Sequence, residues 1–457
     1  IDVRYTRGGE TSLIAISTAS GSLRSGALVI DATGGDSTLH FDGNAQSSSL
    51  STLAGRLNLT GDNFADFARL AGFASPDTPP YDAVADISIG GAVWTFDFQP
   101  ETMIGDGDIA GPLTIEFGGE TPIIDARLRS ANLDFDDLGI VFGVPLGVGS
   151  SETAGEEQVR ARRELDASGR LIPNAVIDFA RLDAVDGTVT LEADEVSDAI
   201  FDIRGLKLEF EITGRVVRAP LLEVRFAEGV LSSYVTIDGS QSPAMTTAEG
   251  ELSGVPFSNL AAEPYLRGTA YGEFKLEARG DGFREAASGL GGRLSLWSEN
   301  AELLAIVAEA SALDIFETLS LINEREGEET YTPSRCAVIS ILFENGVGRP
   351  DPALIDTEGR LVLVTGQVGL QNETLDLSVS SESKAASFGR LMVDVKVGGT
   401  FRSPDVSALG AETVLQLGIA AALASVTGGL AALPFFELGN AEDAPCAAIV
   451  ARADSVR

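Results

Sequence analysis

One histidine, two cysteines and two tryptophans stand in 457 residues. His40 is the sole imidazole, so a Ser-His-Asp triad has one place to find its base. It lies between Leu39 and Phe41, on the polar side of an alternating run, which reads as a surface position. A zinc site needs His and Cys ligands at close spacing, and the sequence has none. Basic residues are also scarce: 32 Lys and Arg against 68 Asp and Glu, a formal charge of −36. Nucleic-acid binders neutralise phosphate with Lys and Arg clusters, so this balance excludes that class. It also argues against broad adsorption to an anionic membrane surface.

The remaining chemical motifs are weak. Ser381 to Lys384 (SESK) matches an acyl-serine tetrad in letters only and falls in an expected loop. Gly105 to Gly111 (GDGDIAG) and Leu133 to Gly139 (LDFDDLG) place carboxylates at spacings that suit calcium, but Asp-Gly turns explain the first as well. No phosphate loop or dinucleotide fingerprint follows a strand and opens a helix. The expectation is a protein that is not an enzyme and carries no cofactor or metal.

What the chain has is alternation. Residues 1–146 read as short strands about ten residues apart, separated by Gly, Asn and Asp turns. One helix is expected after Asn63 as cap, ended by the prolines of Ser75 to Asp82. Residues 147–170 are charged and lack apolar periodicity, which reads as a mobile loop and the best boundary. Strands resume over 171–335, with helical insertions expected at Pro256 to Leu266 and Leu303 to Ile322. Leu206, Leu208, Phe210 and Ile212 alternate with Lys207, Glu209 and Glu211, and Phe274 and Leu276 repeat the pattern. Each such strand has one apolar and one wet face.

Residues 336–457 form the last segment, which opens with Cys336 and contains Cys446. Leu375, Leu377 and Val379 alternate with Thr374, Asp376 and Ser378, and Leu391, Val393, Val395 and Val397 with Met392, Asp394 and Lys396. Gln371 to Glu373 reads as a hairpin turn. The apolar stretch Thr413 to Phe436 is long enough to cross a bilayer. Gly428, Gly429 and Pro434 interrupt it and no basic cluster flanks it, so two short packed helices joined near Thr427 to Gly429 are expected. The two cysteines are compatible with one disulfide in an oxidising compartment, or with two unpaired buried thiols.

Cys336, the glycine-punctuated strands, Gly399 to Val406 (GTFRSPDV), Leu433 to Gly439 (LPFFELG) and Cys446 together resemble the C-terminal region of the AsmA family. This is a family of Gram-negative envelope proteins related to bridge-like lipid transporters. Arg170 to Leu191 adds a second match, and the resemblance covers roughly Leu171 to Cys446. It implies a periplasmic protein tethered to the inner membrane by an anchor before Ile1, which opens inside a strand-like run. It also implies a role in envelope maintenance with phospholipid as partner, and a Cys336–Cys446 disulfide.

The expected fold is mainly β: a long antiparallel sheet curled into an open apolar groove, with few helices. About 24 strands at 4.8 Å spacing extend on the order of 100 Å. Leu206, Leu208, Phe210, Phe274, Leu276, Leu375, Leu377, Val379, Leu391, Val393, Val395 and Val397 are the candidate groove residues. The rival reading is a scaffold or assembly factor that binds an outer-membrane protein or an envelope complex through strand edges. A third is a closed β-sandwich.

Overall fold

The computed structural model describes residues 2–7, 10–18, 26–34, 36–45, 52–64, 78–134, 156–177, 179, 183–197, 202–260, 266–304, 331–385, 387–388, 395–408, 436–437 and 441–453. Strands dominate. The first half holds β1 (Asp2–Arg7), β2 (Glu10–Thr18), β3 (Gly26–Gly34), β4 (Ser37–Ala45), β5 (Thr52–Gly61), β6 (Tyr81–Gly90), β7 (Val93–Phe98), the short β8 (Met103–Ile104) and β9 (Gly107–Asp108), β10 (Gly111–Glu116) and β11 (Ile123–Asp134). Helix α1 (Glu156–Ser168) follows. Then come β12 (Asp186–Ser197), β13 (Ile203–Thr213), β14 (Val216–Phe226), β15 (Val230–Asp238), β16 (Met245–Pro256), β17 (Leu266–Arg267) and β18 (Thr269–Arg279). Helix α2 (Phe283–Ser288) separates β18 from β19 (Gly291–Ser298). The chain continues through β20 (Glu302–Leu304), β21 (Tyr331–Glu344), β22 (Val347–Thr357), β23 (Arg360–Gly369), β24 (Thr374–Ser383), β25 (Ser387–Phe388), β26 (Val395–Gly399), β27 (Pro404–Ala408), β28 (Phe436–Glu437) and α3 (Cys446–Ala453).

One long curled sheet, not closed on itself, contains nearly all of these strands. Neighbours in sequence are mostly neighbours in the sheet, joined as antiparallel hairpins. Asn345 and Gly346 show why this is local physics. Both take positive φ, 51° and 72°, which is the type I′ turn whose twist matches that of the flanking strands. The expected all-antiparallel sheet needs one correction: β11 and β12 pair in parallel, Ile123 opposite Asp186 through Asp134 opposite Ser197. A hairpin cannot make that junction, so the chain must cross from one rim of the sheet to the other between them.

Between β11 and β12 the described residues begin again at Glu156, inside the expected 147–170 loop. In place of the expected mobile loop, α1 forms over Glu156–Ser168. Its sequence is rich in Glu, Arg and Ala, all good helix formers, and Arg162 pairs with Asp166 at i, i+4. The hydrogen-bond ladder runs on without a break on both sides of this insertion and past Cys336.

Of the expected helices, residues 413–435 and 305–322 lie outside the described residues, and Phe436, the last residue of the first, opens β28 and pairs with Phe388. Leu303 and Leu304 belong to a strand, not a helix. Pro256 to Leu266 shows one 3-10 turn, Phe257–Asn259. Asn63 accepts from the Thr78 N–H at 3.1 Å, and Thr78 Oγ1 accepts from Phe64 N–H at 2.8 Å.

Candidate functional site

Register decides which side chains share a face, because a slip of one residue flips a strand over. Thirteen residues fall opposite one another from β12 to β27: Ala193, Leu206, Val224, Leu231, Leu252, Gly272, Leu296, Ile339, Ala353, Val364, Val379, Val395 and Ala408. Every one is apolar or glycine. The bulges between strands displace other pairs and leave this row intact. A second row runs Ala219, Val235, Ala248, Leu276, Gly292, Phe343, Gly348, Val368 and Leu375. In the first half, Leu28, Gly43, Gly55, Ile87, Phe96, Leu113, Ala126, Val189 and Phe210 line up, across the parallel junction.

The candidate groove residues thus share one face. Leu206, Val379 and Val395 lie in the first row, Leu276 and Leu375 in the second, and Phe210 in the third. Leu208 stands between Leu191 and Leu222, Phe274 between Gly250 and Leu294, and Leu377 opposite Val397. Leu391 and Val393 lie outside the described residues. Most members are half-buried: Val224, Leu231, Leu276, Leu296, Leu375, Val379 and Val395 all keep part of their surface. An ordinary core would bury them. Cover is local. Leu303 packs with Val362, Ile355 and Val379.

The opposite face is polar. It carries cross-strand pairs such as Lys207–Glu192 at 3.0 Å, Lys275–Glu249 at 3.4 Å and Arg56–Asp86 at 3.2 Å. His40 belongs to this face, exposed and 2.7 Å from Asp31. Under α3 it is covered, where Ile449 and Cys446 pack on Cys336, Leu354, Leu361 and Leu363. Cys336 and Cys446 are joined in a disulfide, Sγ to Sγ 2.03 Å, which ties α3 to β21.

Beside the disulfide lies Asp356, fully buried. It pairs with Lys384, sits 3.3 Å from Arg335, and accepts from the Ala444 N–H at 3.2 Å. Lys384 and Arg335 also reach Asp443, and the Lys384 hydrogen bond holds the Asp443 carboxyl below the usual range. Lys384 of the SESK run is therefore engaged in structural ion pairs, and Ser381 takes a hydrogen bond from Arg360 at 2.9 Å. Arg293 bonds Asp351 at 2.6 Å and depresses its pKa, with Arg452 of α3 adding to the effect. Asp108 of the GDGDIAG turn accepts from Ser130 Oγ and the N–H groups of Ala131 and Asn132, which uses its oxygens as strand anchors.

The second unforeseen feature is a strap along one rim. From α1 to Asp186 the chain passes the turns that join the second-half strands. Asp166 bonds Arg402 in the β26–β27 turn, and this bond holds the Asp166 carboxyl below its ordinary range. Arg170 donates to the Gln371 carbonyl at 2.8 Å. Glu373, 2% exposed, accepts from the N–H groups of Leu171 at 2.6 Å and Ile172 at 3.1 Å. Arg284 of α2 donates to the Ile172 carbonyl at 2.9 Å. Val176 bridges to Gly282, and Phe179 presses against Gly239, where a Cβ would sit 2.1 Å from the ring. Nothing in the sequence marks Glu373 for this task; it reads as one more turn residue.

The AsmA family's sequence profile matches residues 93–352, more than half of the chain. The chain belongs to the AsmA family. It is 26% identical over 388 residues to the AsmA family protein YhjG of Escherichia coli K12, an alignment that covers 83% of this chain. The chain spans about 56% of that relative's length. No solved structure matches it. AsmA family proteins are envelope-associated. Among the described residues, no helix is long and apolar enough to cross a membrane.

Proposed function

We propose that this AsmA family chain binds acyl lipid, phospholipid first, along the apolar face of its sheet and conducts it between the inner and outer membranes. One observation carries the reading: the thirteen-residue row from Ala193 to Ala408 is apolar or glycine throughout, yet Val224, Leu231, Leu296, Ile339, Val364, Val379 and Val395 within it are only half-buried. A continuous uncovered apolar face in water would aggregate. Acyl chains on it remove that surface from water at about 0.8 kcal/mol per methylene. Movement along the face then needs no catalytic group, because each row resembles the next and the barrier lies only at the exits. The polar opposite face keeps the wall wettable in a periplasm where the protein is tethered to the inner membrane.

The test is direct. Native mass spectrometry with lipid extraction of the purified protein is expected to find phospholipid. A photo-crosslinking residue at Val395 is expected to capture lipid in cells, and one at Lys396, exposed on the other face, is not. Protein that is free of lipid by both measurements rejects the reading.

A second reading, a scaffold that recruits an envelope partner by strand addition, has one observation in its favour. Among the described residues β27 pairs with β26 alone, and its Pro404, Asp405, Val406 and Ser407 are all exposed. It is short and carries a proline, which are also the devices that blunt an edge.

A further inference from the structure

We propose that the exposed apolar cluster of Val93, Trp94, Phe117 and Ile123, at the tips of the β6–β7 and β10–β11 connections, docks onto the surface of a zwitterionic lipid bilayer. This deepens the lipid-groove reading and rests on it, because it says where the groove meets its lipid supply.

All four side chains are exposed by 37% or more. The Trp94 and Phe117 rings meet edge to face, centroids 5.0 Å apart, and the Phe117 N–H donates to the Ala92 carbonyl at 2.8 Å, so the pair is held, not loose. Trp94 is in register with Ile89 and Ile115, which puts it at the end of an apolar-face row. Val93 and Ile123 are both in register with Glu116 and belong to the other face. Apolar side chains therefore stand on both faces at this edge of the wall, with the Glu116 carboxylate between Val93 and Ile123 on the second face. Beyond it come glycine tips: a Cβ on Gly90, Gly91 or Gly118 would meet nothing within 4 Å.

The same rim is covered elsewhere. The strap crosses the turns from Arg402 back to Gly239, and its last tie is Thr121 Oγ1 to Asp186 at 2.9 Å. The cluster lies just past that point, where the strap leaves the rim open.

The shape and the charge choose the occupant. A protein partner of ordinary affinity needs a contact of about 800 Å² on each side. Four side chains split over the two faces of one wall edge make a wedge, not a patch. A wedge suits the headgroup layer, where both faces meet lipid and where Trp is enriched for its apolar body and polar N–H. The charges at this edge are Glu116, which stands between Val93 and Ile123, and Glu120, both exposed, while Arg127 is paired to Asp125 at 3.4 Å. No basic side chain here favours anionic headgroups, so neutral zwitterionic lipid is the match.

The protein has two tryptophans, Trp94 and Trp297. Trp297 lies on the polar face opposite Val338 and Tyr271, so each can serve alone. In Trp297→Phe, vesicles of phosphatidylcholine with brominated acyl chains are expected to blue-shift and quench Trp94. In Trp94→Phe, Trp297 is expected to stay unquenched. In flotation, wild type is expected to rise with phosphatidylcholine vesicles, and the double variant Trp94→Ser, Phe117→Ser to bind at least fivefold less with an unchanged melting temperature. Wild type that does not float, a double variant that floats equally, or a Trp94 signal that changes only with added envelope protein overturns the proposal. Extracted lipid without flotation overturns this proposal alone; flotation without extracted lipid overturns the groove and leaves the docking rim.

Discussion

Asp166 and Arg402 stand 236 residues apart in sequence, and their side chains meet at 2.9 Å. Both are partly exposed, so this bond steers the strap more than it stabilises the protein. The buried anchor is Glu373. Arg402→Ala is therefore expected to raise hydrogen exchange across 156–172 and leave global unfolding unchanged. Glu373→Ala leaves two N–H groups of the strap without their charged acceptor and is expected to cost about 2–3 kcal/mol in denaturant unfolding. Equal, negligible effects of both changes in hydrogen exchange would show that the strap is held by other contacts.

Acid should release the Asp166 bond of the strap and the ion pairs beside α3. Asp166, Asp351 and Asp443 all have folded pKa values below the ordinary carboxylate 3.8, chiefly through hydrogen bonds from Arg402, Arg293 and Lys384. A depressed carboxylate gives its stabilisation in full above the unfolded pKa and loses it as pH falls through the folded value. The strap and α3 are thus expected to stay docked from neutral pH to about 4 and to loosen below that. Hydrogen exchange of 156–172 and 446–453 at stepped pH checks it. Loosening complete by pH 5 would mean that other groups hold these segments.

The disulfide offers a separable measurement. Cys336 and Cys446 close a span of 110 residues, for which the chain-entropy model gives about 4–5 kcal/mol. Reduction, or Cys446→Ser, is expected to lower stability by no more than this and to expose Leu354 and Leu363 as α3 leaves. Alkylation of intact, unreduced protein should label no thiol. Two labelled thiols would contradict the bond.

The strands were legible in the sequence because period-two alternation is a local signal. Leu375, Leu377 and Val379 show it within five residues, and register then follows from hairpin turns such as Asn345-Gly346. The row from Ala193 to Ala408 follows from those local choices taken strand by strand. The β11–β12 parallel junction was not legible, because a crossover is set by where a distant segment docks. The strap was hidden for the same reason: Glu373 and Ile172 lie 201 residues apart. Helix α1 lacked the apolar stripe that marks a buried helix, and its partners are charges on remote turns. Trp94 and Phe117 fitted ordinary strand pattern. Only the three-dimensional course of the strap shows that they are left uncovered.

The two faces of the β21–β26 region allow the groove to be tested against an ordinary core. Val338 is fully buried on the polar-face side, in register with Leu354, in the region beneath α3. Val395 lies in the apolar row opposite Val379 and is only half-buried. Val338 is cut off from water, so a carboxylate there is buried without its hydration and Val338→Asp is expected to unfold the C-terminal segment. A carboxylate at Val395 keeps part of its hydration if the row faces an open groove. Val395→Asp is then expected to lose about 1–2 kcal/mol of burial, remain folded, and release the bound acyl lipid. Circular dichroism melting with lipid extraction on both variants separates the cases. If Val395→Asp unfolds as Val338→Asp does, the row is closed core and the groove is wrong. If it stays folded and retains its lipid, the lipid lies elsewhere on the protein.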